Sequence, residues 1–364
     1  MGKVIALFNN KGGVGKTNLC WNVADTLGRM GKRVLIIDFD PQCNLSIAML
    51  GEEVFVNQLP NNNLPYGTTL RAYLQRFLQN IGGQEIFLHK GVHTHENVDL
   101  IAGDFWLNVY ADSLNVGADL LSGTGLSKYL VLKNMVKQAE SKAGYIFDFI
   151  LIDLPPSFGA LVRATFYSSD YFIVPCTSDN FSVYCVGLIG QMIPSFRRDW
   201  ITGLTRFKES NPRYDEFDDF GKPVFAGWIF NGFDTAKKRR TREEIDAGVP
   251  PKEKELIQAD KTFQDRITES INVDLIPKMS DPKNGYNGVA ENLPESYQIG
   301  GIEDANVLIQ NSLWQNVPMG QLKDHKQLKN LQDRGNWIWN QKAQIDLLDS
   351  KFKEIAREII RVCV

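Results

Sequence analysis

The residues of this chain that could do chemistry are concentrated near its start. Asn9-Asn10-Lys11-Gly12-Gly13-Val14-Gly15-Lys16-Thr17 sets three glycines, two lysines and a hydroxyl in one short stretch. Glycines let backbone N–H groups converge on phosphate oxygens with no side chain in the way. Lys16 is then placed to reach the β- and γ-phosphates of a nucleotide, and the Thr17 hydroxyl to hold Mg²⁺. Such a loop works only between a strand and a helix. Val4 to Phe8 is a short apolar run that reads as a buried strand, and Asn18 to Met30 reads as a helix. The N-terminus of that helix would add partial positive charge beneath the phosphates.

Acidic residues complete this chemistry. Val34-Leu35-Ile36-Ile37 is apolar without alternation, as in a strand buried on both faces of a parallel sheet, and it ends in Asp38-Phe39-Asp40-Pro41-Gln42. Phe147 to Ile152 is a second such run and ends in Asp153-Leu154-Pro155-Pro156-Ser157. Ligands bind at the C-terminal ends of strands in open α/β sheets, so both acidic ends lie where a nucleotide would sit. Asp153 is placed as a carboxylate that binds Mg²⁺ through water.

The loop departs from the general pattern G-x-x-x-x-G-K-[ST]: Asn10 stands at its first glycine, and Lys11 precedes the glycine pair. KGGVGKT, DFDPQ and DLPPS, in that order, resemble the ParA/MinD family of deviant Walker A ATPases, closest in motif to ParA-type partition ATPases. The resemblance covers residues 1–195 well and the rest loosely. It implies an α/β fold with a mostly parallel sheet, helices on both faces, and one P-loop ATPase domain over 1–364. It implies ATP and Mg²⁺ as cofactors. Lys16 would neutralise phosphate charge. Thr17, Asp38 and Asp153 would serve the metal, and Asp40 would orient or activate the attacking water. Gly12, Gly13, Val14, Gly15 and Asn18 would cradle the nucleotide. Lys11 would cross a nucleotide-sandwich homodimer to the partner's ATP, as an arginine finger does in trans. Asn231 and Pro277, at the ends of the last two expected strands, match positions that reach adenine.

The function implied is ATP-driven positioning or partition of DNA or another cargo, with hydrolysis stimulated by a partner protein of the ParB type. The rivals are a metabolic P-loop enzyme of ligase or reductase type and an ATP-dependent regulatory module. The iron–sulfur reductase version needs bridging cysteines, and none of the five is suitably placed.

The remaining chain fits this frame. The 364 residues, 43% hydrophobic and 23% charged, suffice for a substantial core. Five cysteines without CxxC spacing read as reduced thiols of a cytoplasmic protein. No leader and no bilayer-length apolar stretch is expected. Further strands are expected at Val98–Ile101, Tyr171–Pro175, Phe225–Asn231 and Val273–Pro277. Helices are expected over Thr69–Asn80, Ser127–Ala143, Cys185–Phe196 and from Pro251 to Ile271. His89, His93 and His95 cluster with Glu96 and Asp99, but no zinc-type spacing is completed.

A net charge of −3 excludes a polycation, so DNA contact needs a local patch. Lys237, Lys238, Arg239, Arg240 and Arg242 supply one, alongside the plainer reading of a solvated or dimer-facing loop. Arg197, Arg198, Arg206 and Lys208 suggest a second. Nucleoid association would follow if DNA is bound. Residues 280–340 read as a family-atypical insertion in which Trp337 and Trp339 either anchor a partner or pack inside. A final helix over 341–362 carries one apolar stripe, Ile345, Leu348, Phe352, Ile355, Ile359 and Val362. Its polar face mixes both signs, which favours core packing over a membrane.

Overall fold

The structure, a computed structural model, describes residues 2–117, 123, 125–237, 254–330 and 333–364. Its centre is a seven-stranded sheet of β1 (Lys3–Leu7), β2 (Val34–Asp38), β3 (Val98–Ile101), β4 (Phe149–Asp153), β5 (Tyr171–Cys176), β6 (Val224–Phe233) and β9 (Gln298–Glu303). Two short antiparallel ribbons stand outside it: β7 (Thr235–Lys237) with β8 (Lys254–Leu256), and β10 (Gln327–Leu328) with β11 (Arg334–Gly335). The sheet order is β3-β2-β4-β1-β5-β6-β9, and every neighbouring pair is parallel.

The unbroken apolar runs are explained by burial on both faces. Val4, Ala6, Phe8, Ile150 and Ile152 enter one core layer, while Ile5, Leu7, Phe149 and Leu151 enter the other. The first layer lies under helices that include Leu70–Leu78, Val131–Ala143, Ala160–Ser168 and Asn180–Ser210. The second lies under Lys16–Arg29, Asn44–Leu50, Asn306–Gln315 and the last helix, Trp339–Val362. All six expected stripe residues of that last helix are buried in the second layer. No helix among the described residues is long and apolar enough to cross a membrane.

The expected strand at Val273–Pro277 is corrected. Residues Gln258–Ser270 form an α-helix, Ile271–Leu275 a π-turn and Ile276–Met279 a further helical turn. Buried Ile271 and Leu275 pack against Asn180–Ser210, where Gly190 lets the backbone at Asp274 approach closely. The true seventh strand is β9, inside the segment expected to be an insertion. Asn180–Ser210 also runs well beyond the expected Cys185–Phe196, continuing past Pro194.

The second basic patch is corrected as well. Arg197 is buried and donates to the carbonyls of Asn284, Phe220 and Gly221 at 3.1, 3.2 and 3.2 Å. Lys208 pairs with Asp218 at 2.5 Å. Only Arg198 and Arg206 remain exposed there. Trp337 is buried, whereas Trp339 is 80% exposed.

Candidate active site

The sheet brings the sequence motifs to one edge. Asp38 and Asp153 end adjacent parallel strands as register partners, and Leu7 of β1 pairs Asp153 from the other side. The loop after β1 therefore arches over two carboxylates before entering the helix Lys16–Arg29.

Loop geometry depends on a few residues. Gly13 and Gly15 have φ of 78° and 79°, the left-handed region where an L side chain is strained. A Cβ on Gly15 would also overlap the Asn231 amide. Asn231, near the end of β6, donates from that amide to the Val14 carbonyl at 3.0 Å. Buried Asn9 fixes the start of the loop by donating to Pro175 O at 2.7 Å and accepting from Lys11 N at 2.9 Å. Lys16 is buried, and its ammonium donates to Asn9 O and Lys11 O, each at 3.0 Å. Burial lowers its pKa, while Asp153 and Asp40 oppose the shift.

The acidic cluster is built to meet a cation. The Thr17 hydroxyl donates to Asp153 Oδ2 at 2.7 Å, while Asp153 Oδ1 is buried without a hydrogen-bond partner. Burial and then the charge of Asp38 push Asp153 up to about 8. Burial raises Asp38 to about 6, against hydrogen bonds from Ser46 N at 2.8 Å and Ser46 Oγ at 2.6 Å. Asp40 N donates to Asp38 Oδ1 at 3.4 Å, and the Asp40 carboxylate caps Gln42 N at 2.9 Å. An all-oxygen donor set with an orphaned carboxylate oxygen fits a hard divalent ion such as Mg²⁺.

A cavity of about 740 Å³ opens over the loop, lined by Lys16, Thr17, Asp40 and Pro156 and, on its far wall, by Ile47, Leu313, Trp314 and Asn316. A second cavity, about 380 Å³, lies on the other side of Gly15 and Asn18, against Asn231, Asp304, Ala305 and Asn306. The residues expected at adenine are thus divided. Asn231 lines the second cavity. Pro277 is exposed in the turn Ile276–Met279 and lines neither. Asp304–Asn306, following β9, line that second cavity beside Asn231.

Lys11 is tied within its own chain. Its ammonium pairs with Asp179 and donates to Thr177 Oγ1 at 2.7 Å. Against the upward push of burial, Lys11 and the Thr177 hydroxyl hold Asp179 below the usual carboxylate range. Sequence reasoning missed Thr177, Asp179, Ser46 and Asn316. Thr177 and Asp179 follow the C-terminal end of β5, on the ligand side of the sheet, and that position was a usable signal.

Other expected residues fall outside the site. His89 Nε2 meets Thr68 O at 2.8 Å, and His95 N donates to Asp25 at 2.9 Å. No group of three or more His, Cys, Asp or Glu side chains placed to share one metal ion occurs among the described residues. Lys237 ends β7, while Lys238, Arg239, Arg240 and Arg242 lie outside the described residues.

Residues 2–204 match the model of a family described as AAA domain, AAA_31. The chain is 28% identical over 183 residues to the sporulation initiation inhibitor protein Soj of Bacillus subtilis, covering 50% of this chain and 61% of Soj. It is 28% identical over 234 residues to the virulence plasmid ParA family protein pGP5-D of Chlamydia psittaci, covering 63% of this chain and 79% of that one. Among solved structures it resembles the ATP complex of a Cyanothece McdA variant with a TM-score of 0.58 and 15% identity, over 98% of this chain and 96% of the other. At that identity the likeness is one of fold.

Proposed function

We propose, from the premise that this chain belongs to the AAA domain family AAA_31 and is a ParA-type P-loop ATPase, that it hydrolyses ATP with Mg²⁺ and dimerises on ATP to position DNA or another cargo. The observation that carries this reading is the Thr17–Asp153 pair with its orphaned buried oxygen, set beside Asp38 beneath a glycine loop. The cargo reading is supported by relatives named for plasmid ParA function and for sporulation control, and a partner protein of the ParB type would stimulate turnover.

Phosphoryl transfer asks a protein mainly for positioning and charge stabilisation. The N–H groups of Gly12 to Thr17 and the helix dipole receive the phosphates. Lys16, held by two carbonyls, exchanges part of that binding for phosphate oxygens. Thr17 and Asp153 would hold the metal with Asp38 nearby, and Mg²⁺ held there would supply positive charge against that of the phosphates. Asp40, on the rim of the larger cavity, orients the attacking water. Asn231 and Asp304–Asn306 receive the base. Lys11, once released from Asp179, reaches the nucleotide of a second copy.

The test is ATP turnover against Mg²⁺ concentration, with calorimetric ATP binding in parallel. Lys16→Ala should lose ATP binding. Asp40→Ala should keep it and turn over at least about a hundredfold more slowly. Equal ATP affinity in Lys16→Ala and wild type would overturn the assignment.

A further inference from the structure

We propose that Asn316 is a positioning residue for ATP hydrolysis, acting on the acidic cluster through the short helix Asn44–Leu50. The inference rests on the ATPase reading above and adds a residue far outside the family match, which ends at 204.

The helix Asn44–Leu50 carries Ser46, whose N–H and hydroxyl both hold the inner carboxylate, Asp38. Ser46 Oγ in turn accepts from Gly103 N at 2.8 Å. The chain enters this helix directly from Asp40 through Cys43, which has φ of 56° and gives no side-chain cap. A helix of two turns has no stability of its own, so contacts made by its ends set its position.

Its C-terminal carbonyls are the groups a helix leaves unpaired. The Asn316 amide nitrogen donates to Ile47 O and to Ala48 O, each at 3.0 Å. Its two hydrogens match two acceptors. Val92 N covers Met49 O at 2.9 Å. Without Asn316, the Ala48 carbonyl loses this donor and Ile47 O keeps only Gly51 N.

Asn316 is itself rigidly held. It ends the helix Asn306–Gln315 with φ of 57°, a conformation asparagine tolerates better than most residues. Ser312 Oγ donates to Val317 O at 2.6 Å just beside it. Three residues on, Met319 N donates to Asn22 Oδ1 at 2.6 Å, in the helix that continues the phosphate loop. The short segment Asn316–Met319 thus ties the phosphate-loop helix, through Met319, to the helix that holds Asp38 and follows Asp40, through Asn316. Asn316 also lines the cavity that contains Asp40, Gln42 and Asn44. Movement at Asn316 would reach the carboxylates before it reached Lys16, so the effect belongs in turnover rather than in nucleotide binding.

Two substitutions separate the amide from the backbone. Asn316→Gly keeps the left-handed conformation and removes the donors. Asn316→Asp keeps shape and conformation but sets acceptor oxygens against carbonyls. Steady-state turnover, ATP dissociation constant and melting temperature are measured on each, with wild type and Asp40→Ala alongside. The expected result is a fall in kcat of about tenfold in Asn316→Gly, at least as large in Asn316→Asp, with ATP affinity within about twofold of wild type. Ser46→Ala should lower kcat too, and the Ser46→Ala/Asn316→Gly pair should fall by less than the product of the single effects.

Unchanged kcat in both Asn316 variants, a parallel loss of ATP affinity, or a loss matched by the unfolded fraction would overturn the proposal. So would multiplicative effects in the double variant. Those outcomes leave the ATPase reading intact as long as wild type turns over and Asp40→Ala does not. If wild type and Asp40→Ala have the same turnover, the ATPase reading fails and takes this one with it.

Discussion

Lys11 and Asp179 form an ion pair across the mouth of the phosphate loop, inside a single chain. A lysine that serves a second copy's nucleotide must first leave that carboxylate, so the pair opposes assembly. Both side chains are partly exposed, at 23% and 35%, and a screened pair of this kind is worth about 0.2–1 kcal/mol.

Asp179→Asn should therefore tighten ATP-dependent dimerisation by up to about fivefold, since asparagine still caps Ser182 N without binding the ammonium. Lys11→Ala should weaken it while monomer ATP binding stays near normal. Sedimentation in the Asp40→Ala background with ATP is the measurement. A dimer weakened by Asp179→Asn, or untouched by Lys11→Ala, would refute the trans role of Lys11.

The acidic cluster makes a statement about pH. Asp153 is raised from 3.8 to about 8 and Asp38 from 3.8 to about 6, so without metal the folded chain holds protons that the unfolded chain gives up. Stability from these groups is fully present below the unfolded value and is lost as pH rises through the folded values. Metal-free protein should melt at falling temperature between about pH 4 and pH 8, and level off above. Asp153→Asn should flatten that slope, and Mg²⁺ with nucleotide should raise melting most at the alkaline end. Equal slopes in wild type and Asp153→Asn would count against the cluster as described.

Gly15 permits a sharp substitution. Alanine in its left-handed conformation costs about 1–2 kcal/mol, and its Cβ would displace the Asn231 amide. Gly15→Ala should lower ATP affinity at least about tenfold, with the larger part remaining when combined with Asn231→Ala. Calorimetry on the two single variants and the double separates backbone strain from the steric overlap. Normal affinity in Gly15→Ala would mean that nucleotide does not bind at this loop.

The basic run Lys237–Arg242 offers the DNA test. Affinity for random duplex should fall steeply with salt through counterion release, with a slope of about −0.9 for each phosphate neutralised. Replacing Lys238, Arg239 and Arg240 with alanine should weaken binding and flatten the slope, with ATP binding preserved. Wild type that fails to retard duplex DNA with ATP at low salt would remove this run from consideration.

The sequence was most legible where chemistry is dense and local. Lys16, Thr17, Asp38 and Asp153 were readable because a glycine loop and acidic strand ends each have one obvious use, and the sheet does bring them to one edge. It was least legible where packing replaces hydrophobicity. β9 reads Gln-Ile-Gly-Gly-Ile-Glu, poor in apolar residues, because Gly300 lies where a Cβ would meet Ile355 of the last helix and Gly301 where it would meet Phe233. The close approach that buries this strand removes the signal that would announce it. Leu275 and Ile276 carry the opposite message: they serve helix-on-helix packing, while Val273 between them and the preceding helix is exposed. Asn316 had no local signature at all, since its partners lie 268 and 269 positions away.

The Asn231–Val14 hydrogen bond spans 217 positions. The phosphate loop leaves the ribosome early, yet the amide that braces it arrives only after β6 has been made, and β9 and Asp304–Asn306 later still. On the function proposed above, nucleotide competence is therefore a late event in the synthesis of this chain. A nascent or prematurely ended product holding every signature motif would carry the loop without its brace, and so would compete poorly for ATP with finished molecules.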